Sequence, residues 1–321
     1  MPIKRVVCAC LMLIGLPCFG AGYPEKAIRI VTPFPAGSVT DLIARPIAAK
    51  LTEAWGQPVI VDNRGGAGGN IAAEAVAKSA PDGYTLLIGS TGPNAVNASL
   101  YAKMPYDTLR AFAPITLAAT AYLMLVVHPS MPVKSVKELI ALGKSQPGRF
   151  TFGSSGNGST PHLAGELFSS MTGVSMIHVP YKGGSIQYTI DLITGRLDLL
   201  FASVLPVSPH VKTGRLKLLA ISADTRDPSL PDAPTLSEAG VPGFDVRSWY
   251  GLLAAAGTPQ STIDKLHAEL VKILALPEIK TQYATGGLIP TSNSPAEFSA
   301  YIKREFDKWA KVVGAVGIRV D

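Results

Sequence analysis

A short β-rich run, a turn of small residues and an amphipathic helix follow one another twice near the start of the chain, and few folds accommodate that order. Ile28 to Thr32 is the first β-rich run and Pro33-Phe-Pro-Ala-Gly-Ser38 the turn after it. Leu42, Ile43, Ile47, Leu51 and Trp55 then recur at helical spacing. Pro46 lies inside that pattern, which predicts a kink. Val59 to Val61 is a second strand, a glycine run from Gly65 to Gly69 leads into a helix from about Ile71 to Lys78, and Tyr84 to Ile88 is a third strand. This βαβαβ order is that of a parallel sheet covered by helices.

A second α/β series follows. Ser135 and Glu138 have capping-box spacing and open a helix to Gly143. Phe150 to Phe152 reads as a strand, and Thr160-Pro161 caps and opens a helix carrying Leu163, Leu167, Phe168 and Met171. Ile177 to Val179, Leu197 to Phe201 and Leu216 to Ser222 are further strands, and Thr235 with Glu238 is another capping box. The last part is helical, opened by Thr258-Pro259, by Pro277, and by Ser294-Pro295 with Glu297. With 321 residues the chain is long enough for about two domains, yet no low-complexity tether separates the two series. Two long apolar runs, Ile115 to Val127 and Val246 to Ala255, are the natural crossings. The expected fold is α/β, with two α/β domains joined by two crossing strands and a ligand cleft between them. Residues 23–123 and 250–321 form the first domain and 124–249 the second.

The first 22 residues read as an export signal rather than fold. Lys4 and Arg5 precede an apolar run from Val6 to Leu16, Pro17 breaks it, and Gly20, Ala21 and Gly22 suit a signal peptidase. Cys8, Cys10 and Cys18 all fall inside this segment, so cleavage near Gly22 leaves no thiol. Loss of Lys4 and Arg5 also reduces the 29 basic residues to 27 against 23 acidic ones. No later Lys/Arg block suggests a nucleic-acid stripe. Ile115 to Val127 is too short to span a bilayer.

Several catalytic and cofactor chemistries find no support. Gly153-Ser-Ser-Gly156 lacks the spacing of a nucleophile elbow. Gly143-Lys144-Ser145 lacks the earlier glycine of a P-loop, since Glu138 stands there, and Gly66-Ala-Gly68-Gly-Asn-Ile71 lacks the third glycine of a dinucleotide fingerprint. The five histidines, His128, His162, His178, His210 and His267, show no metal spacing. No metal and no cofactor is expected.

Three turns rich in Gly, Ser and Thr stand at strand ends: Pro35-Ala-Gly-Ser-Val-Thr40, Gly89-Ser-Thr-Gly92 and Gly153-Ser-Ser-Gly-Asn-Gly-Ser-Thr160. The first and third run into helices, whose starts expose amides and favour anions. Glycine permits close approach to the backbone and the hydroxyls add donors and acceptors. One such turn in each half suggests two jaws around one small anion. An ordinary βα turn with a cap reads the same way.

These residues also carry a resemblance. Tyr23-Pro-Glu-Lys-Ala-Ile-Arg-Ile30, Pro33-Phe-Pro-Ala-Gly-Ser-Val-Thr-Asp41 with Ala44-Arg45, Asn63-Arg-Gly-Gly-Ala-Gly-Gly-Asn70 and Ala80-Pro-Asp-Gly-Tyr-Thr85 occur in order. Gly153-Ser-Ser-Gly-Asn-Gly-Ser159 with His162-Leu163, Val179-Pro-Tyr-Lys-Gly-Gly184, Leu230-Pro-Asp-Ala-Pro-Thr-Leu236 and Trp249-Tyr-Gly251 follow. Together they resemble the solute-binding proteins of tripartite tricarboxylate transporters, the Bug family.

The resemblance implies a two-lobed periplasmic binding protein of type II-like architecture, not an enzyme. It would capture a small carboxylate or a related polar metabolite and deliver it to a membrane permease of one large and one small subunit. A monomer is expected, with no nucleic-acid partner. The resemblance implies a first jaw of Phe34, Pro35, Ala36, Gly37, Ser38 and Thr40, followed by Asp41, which either stabilises the helix start or meets a ligand ammonium. The second jaw is Ser154, Ser155, Gly156, Ser159 and Thr160, with His162 in the next turn. Ser90 and Thr91 would close the floor, Tyr181 and Gly183 would line a wall, and Ser203 lies just beyond a strand end. Where the family usually carries a second glycine this chain has Ser38, which narrows the space or adds a hydroxyl. Two alternatives are a ligand-sensing periplasmic protein serving a signalling receptor, and a periplasmic hydrolase using Ser155 or Ser159 with His162.

Overall fold

The computed structural model describes residues 22–181, 185–227, 230–317 and 319. The expected signal segment before Gly22, and Lys182 and Gly183, lie outside the described residues. The first series is β1 (Ile28–Thr32), α1 (Val39–Trp55), β2 (Val59–Asn63), α2 (Asn70–Ala77) and β3 (Thr85–Ser90). A π-helical turn at Gly92–Val96 then runs into α3 (Asn97–Leu100). The long strand β4 (Phe112–Val127) leads to α4 (Val136–Ser145), β5 (Phe150–Ser154), α5 (Thr160–Thr172), β6 (Met176–Pro180), α6 (Ser185–Ile193), β7 (Leu199–Ser203), α7 (Val204–Lys212) and β8 (Lys217–Ile221). The chain returns through β9 (Arg247–Ala255) to α8 (Gln260–Ala275), α9 (Pro277–Thr285), β10 (Ile289–Pro290) and α10 (Pro295–Val316).

The strands form one mixed sheet in the order β2-β1-β3-β9-β4-β7-β5-β6, with β8 and β10 also paired to β4. In the first lobe β2, β1 and β3 are parallel, and in the second β5 is parallel to both β6 and β7. Between them β9 and β4 run antiparallel to each other. Phe112 to Tyr122 of β4 pairs with β9, whereas Leu123 to Val127 pairs with β7 and β8. One strand therefore belongs to both lobes. Register shifts between Pro114 and Thr116 and between Leu117 and Ala119 mark bulges in it, which bend and twist a strand. Its near-continuous burial explains why its sequence is apolar apart from Thr116 and Thr120, since both faces are covered.

Alternation sorts each strand onto two faces. Ile28, Ile30, Leu86 and Ile88 join Ile43, Ile47 and Leu51 of α1 and Leu266 and Leu270 of α8 in one core. Val31 and Leu87 face the other way, into a core shared with Phe150, Phe152, Phe168 and Phe201 of the second lobe and with Trp249, Phe298 and Trp309. That shared core packs the crossing region itself. A third cluster, with Met124, Val126, Leu200, Ala202 and Tyr188, fills the second lobe.

Pro46 stands inside α1, which runs on to Trp55. Several local expectations change. Thr160 is inside α5, and the preceding Ser159 is its cap residue. The Ser135 hydroxyl accepts the Glu138 amide, but the Glu138 carboxylate takes Lys134 N rather than the cap amide. Thr235 and Glu238 make both capping-box bonds around a turn that no helix follows. α6 and α7 were not anticipated. The first is rich in β-branched residues, Ile186, Thr189, Ile190 and Ile193, and the second contains Pro206 and Pro209 within its span, so neither reads as helical by propensity.

Candidate ligand-binding site

The first jaw is built between β1 and α1. Gly37 takes φ +80°, a left-handed conformation that glycine adopts without steric cost. Ser38 is the α1 cap, its Oγ accepting the Asp41 amide at 3.4 Å and lying 3.1 Å from Thr40 Oγ1. The Ser38 hydroxyl thus faces its own helix turn. Asp41 is buried, and its carboxylate accepts from Gly37 N (2.9 Å), Arg45 Nε (2.8 Å) and Asn63 Nδ2 (2.9 Å). Burial alone would raise its pKa, but Arg45 and the Gly37 and Asn63 donors outweigh it and hold the carboxyl below its ordinary value. Asn63 Nδ2 also reaches Thr32 Oγ1 and the Phe34 carbonyl, tying the end of β2 to this turn. Pro35, Ala36 and Gly37 are exposed, and Phe34 is half-buried beside them.

The second jaw, between β5 and α5, repeats the plan. Gly158 takes φ +76°, Ser159 is the cap residue, and the Gly158 amide donates to His162 Nδ1 at 3.0 Å. In both lobes the order is Gly, Ser cap, two residues, then a side-chain acceptor for the glycine amide: Gly37 to Asp41 and Gly158 to His162. Accepted amides at Ser38, Asp41 and Ser159 leave Val39, Thr40, Thr160 and His162 as first-turn amides with no intrahelical carbonyl. These are the groups suited to an anion.

The other expected residues occupy varied positions. Ser155 is exposed and Gly156 half-buried at φ +114°. Ser154 is fully buried, with Oγ 2.6 Å from His178 Nε2 and accepting Gly156 N at 3.1 Å. Ser159 Oγ donates to the Gly156 carbonyl. Thr160 Oγ1 accepts from Ser248 Oγ of β9 at 3.2 Å, joining the second jaw to a crossing strand. Ser90 and Thr91 are only 4% and 3% exposed, so they lie beneath the surface of the first lobe. Thr91 Oγ1 accepts the Trp249 amide of β9, and Ser90 N donates to Asn94 Oδ1. Tyr181 donates its hydroxyl to Asp191 at 2.7 Å, and burial followed by that bond pushes its pKa up to about 12. Ser203 is half-buried at the cap of α7, in register with Leu123 on β4.

Sequence reasoning missed how the glycine segment packs. Gly69 packs tightly on Pro33 and Pro93, and the Gly68 carbonyl accepts Asn97 Nδ2, wedging residues 65–70 between the first jaw and the Ser90 turn. Asn70 Oδ1 takes Asn97 Nδ2 and the Tyr106 hydroxyl. His178 was also missed. Its register with Phe152 across parallel strands puts it beside Ser154, a relation only strand pairing reveals. The second jaw meets the first lobe at Gly158, where an added Cβ would lie 2.3 Å from Leu100 Cδ1 of α3.

Comparisons with known proteins agree with this architecture. A family profile for the tripartite tricarboxylate transporter family receptor matches residues 43–318. The chain is similar to Protein BugT of Bordetella pertussis, at 35% identity over 96% of this chain and 94% of that one. Among solved structures it is similar to Rpa4515 of R. palustris with adipate, at 38% identity and TM-score 0.81 over 93% of this chain and 99% of that one. It is likewise similar to MatC of Rhodopseudomonas palustris with bound malate, at 31% identity and TM-score 0.77 over 91% and 100% of the two chains. With two lobes, two crossing strands and a family match over most of its length, the chain belongs to the tripartite tricarboxylate transporter receptor family, the Bug proteins, which are solute-binding receptors rather than enzymes.

Proposed function

We propose that this chain is a periplasmic receptor that captures one small carboxylate between its lobes and hands it to a tripartite tricarboxylate-type permease of one large and one small subunit. The observation that carries this reading is the duplicated Gly-Ser-x-x-acceptor turn, which opens a helix start in each lobe with amides left over. Backbone donors and helix dipoles on two sides suit a carboxylate, which needs several hydrogen bonds as much as a countercharge. In this reading the lobes are residues 23–123 with 250–321, and 124–249, after removal of the first 22. Ligand contacts come from Phe34 to Ser38 and Thr40 on one side and from Ser155, Gly156, Ser159 and Thr160 on the other. Asp41, Ser154 and His162 hold those segments from behind, Ser90 and Thr91 form the floor between them, and Tyr181 and Ser203 stand at the margin.

Similar proteins with adipate and with malate make dicarboxylates the first compounds to try. A thermal-shift series with adipate, malate, shorter and longer diacids, monoacids and the matching amides tests the reading. A ligand at 100 times its dissociation constant should stabilise the protein by about 2.7 kcal/mol, which moves the midpoint by at least roughly 2 °C at this size. A response to an acid but not to its amide is the expected result. Equal responses to both would remove the anion argument.

A further inference from the structure

The two jaws share one plan but differ in the acceptor that holds the glycine amide. In the first lobe it is Asp41, a carboxylate kept charged by Arg45 and Asn63. In the second it is an imidazole. The Gly158 N–H needs the lone pair of His162 Nδ1, so the ring is neutral with its proton on Nε2, which faces Glu166 Oε1 at 3.6 Å. His162 is 3% exposed. The His178 ring stacks on it, with centroids 3.8 Å apart and planes 23° apart, and Phe152 lies 5.0 Å from the centre of the His178 ring.

Each imidazole holds one glycine of the jaw. His162 takes the Gly158 amide directly, while His178 meets Ser154 Oγ at 2.6 Å, the same oxygen that accepts the Gly156 amide. A proton added to His162 goes onto Nδ1 and turns an acceptor into a donor facing a donor. Ser154 Oγ donates to the Gly156 carbonyl at 3.1 Å, so His178 donates to Ser154 through Nε2–H; a proton added to His178 goes onto Nδ1, and a charge on either ring opposes a charge on the other at this spacing. Burial, then the His162 charge, lowers His178 to about 4, with Glu166 acting in the opposite sense. The ionisable groups acting on His178 are thus His162 and Glu166, both from α5, while β5 contributes the non-titrating Phe152 and Ser154.

We propose that His162 and His178 are positioning residues: as a neutral stacked pair they hold the Ser154–Thr160 turn in its ligand-ready shape, and proton uptake by the pair releases the turn and the carboxylate with it. The proposal rests on the carboxylate reading of the cleft. It makes the second jaw acid-sensitive while the first jaw, built on Asp41, keeps its shape to lower pH.

The test follows the ligand-free protein, labelled with 15N in glycine and in the histidine rings, by NMR from pH 7.5 to 4. The Gly156 and Gly158 amide signals should move with the imidazole signals, and Gly37 should not. Below the midpoint the held form should fall tenfold per pH unit if one proton releases it. His162→Asn places a non-titrating oxygen near the Nδ1 position. In it the Gly158 signal should stay still, and its affinity for adipate or malate relative to the unsubstituted protein should rise up to tenfold per pH unit below the midpoint. That ratio cancels the ligand's own protonation. Imidazoles that titrate while Gly156 and Gly158 stay fixed would overturn the proposal, as would an affinity ratio independent of pH. If no carboxylate binds either protein at pH 7.5, the reading of the cleft fails, and the glycine signals still decide the role of the pair. If His162→Asn does not fold, the signals of the unsubstituted protein decide alone.

Discussion

Asp41 and His162 occupy equivalent places in their turns, and the chemistry of each sets what its jaw tolerates. Asp41→Ala should leave the Gly37 amide and the Asn63 amide without their buried acceptor and release Arg45. Loss of stability by about 2–4 kcal/mol is expected, read by urea denaturation. A change within 0.5 kcal/mol would mean these bonds contribute little. The contribution of Asp41 has a definite pH sense. Its folded pKa is depressed, so its stabilisation is complete above about pH 3.8 and is lost as the pH falls through the folded value. At this scale the residue types were legible: the helix-start role of Asp41 was one of two expected from sequence. That both its oxygens engage groups within the first lobe depends on Asn63, which β2 brings in from outside the turn.

Among the elements, α10 shows how local signals succeed. Ser294 and Glu297 form both bonds of a capping box, Pro295 stands at the first helical position, and Gly317 closes the helix in a left-handed conformation. Ser294→Ala should cost about 1 kcal/mol, measured as a lower urea midpoint with an unchanged slope. Thr235 and Glu238 make the same two bonds and open only a turn, because Pro234 and Pro242 flank a segment whose apolar residues Leu236 and Val241 pack inward without helical continuity. A cap stabilises a helix start but does not create the amphipathic face that helices need from tertiary packing. For the same reason α6 and α7 were invisible to propensity. α6 is held by buried Tyr188 and Leu192, and α7 by Val207, all within the second-lobe cluster.

At the scale of the molecule, β4 and β9 bind the lobes into one sheet, and the core from Val31 to Phe201 runs beneath them. A proton taken up in the second lobe therefore acts on a shared structure. His178 has a depressed folded pKa of about 4 against 6.5 in the unfolded chain, so the unfolded state binds the proton first. Stability is full above about pH 6.5 and should decline as the pH falls towards 4, by up to roughly 1 kcal/mol per pH unit. Urea midpoints taken between pH 7.5 and 4.5 test this, with His178→Phe expected to flatten the profile. An equal slope in that variant would assign the decline to other groups.

Strand and helix periodicity, read along the chain, determined the α/β class, the β1, β5 and β9 cores and the two crossing runs, because burial of alternate or every-third-to-fourth residues is written into the order of side chains. It also located the glycine and serine turns, since backbone conformations at positive φ and helix caps select those residues locally. Tertiary structure alone decided which groups stand behind those turns. Asn63 beneath the first jaw, His178 stacked on His162, and Leu100 against Gly158 are each far apart in sequence from what they touch. Their pairing follows from strand register and lobe packing, which no local pattern encodes.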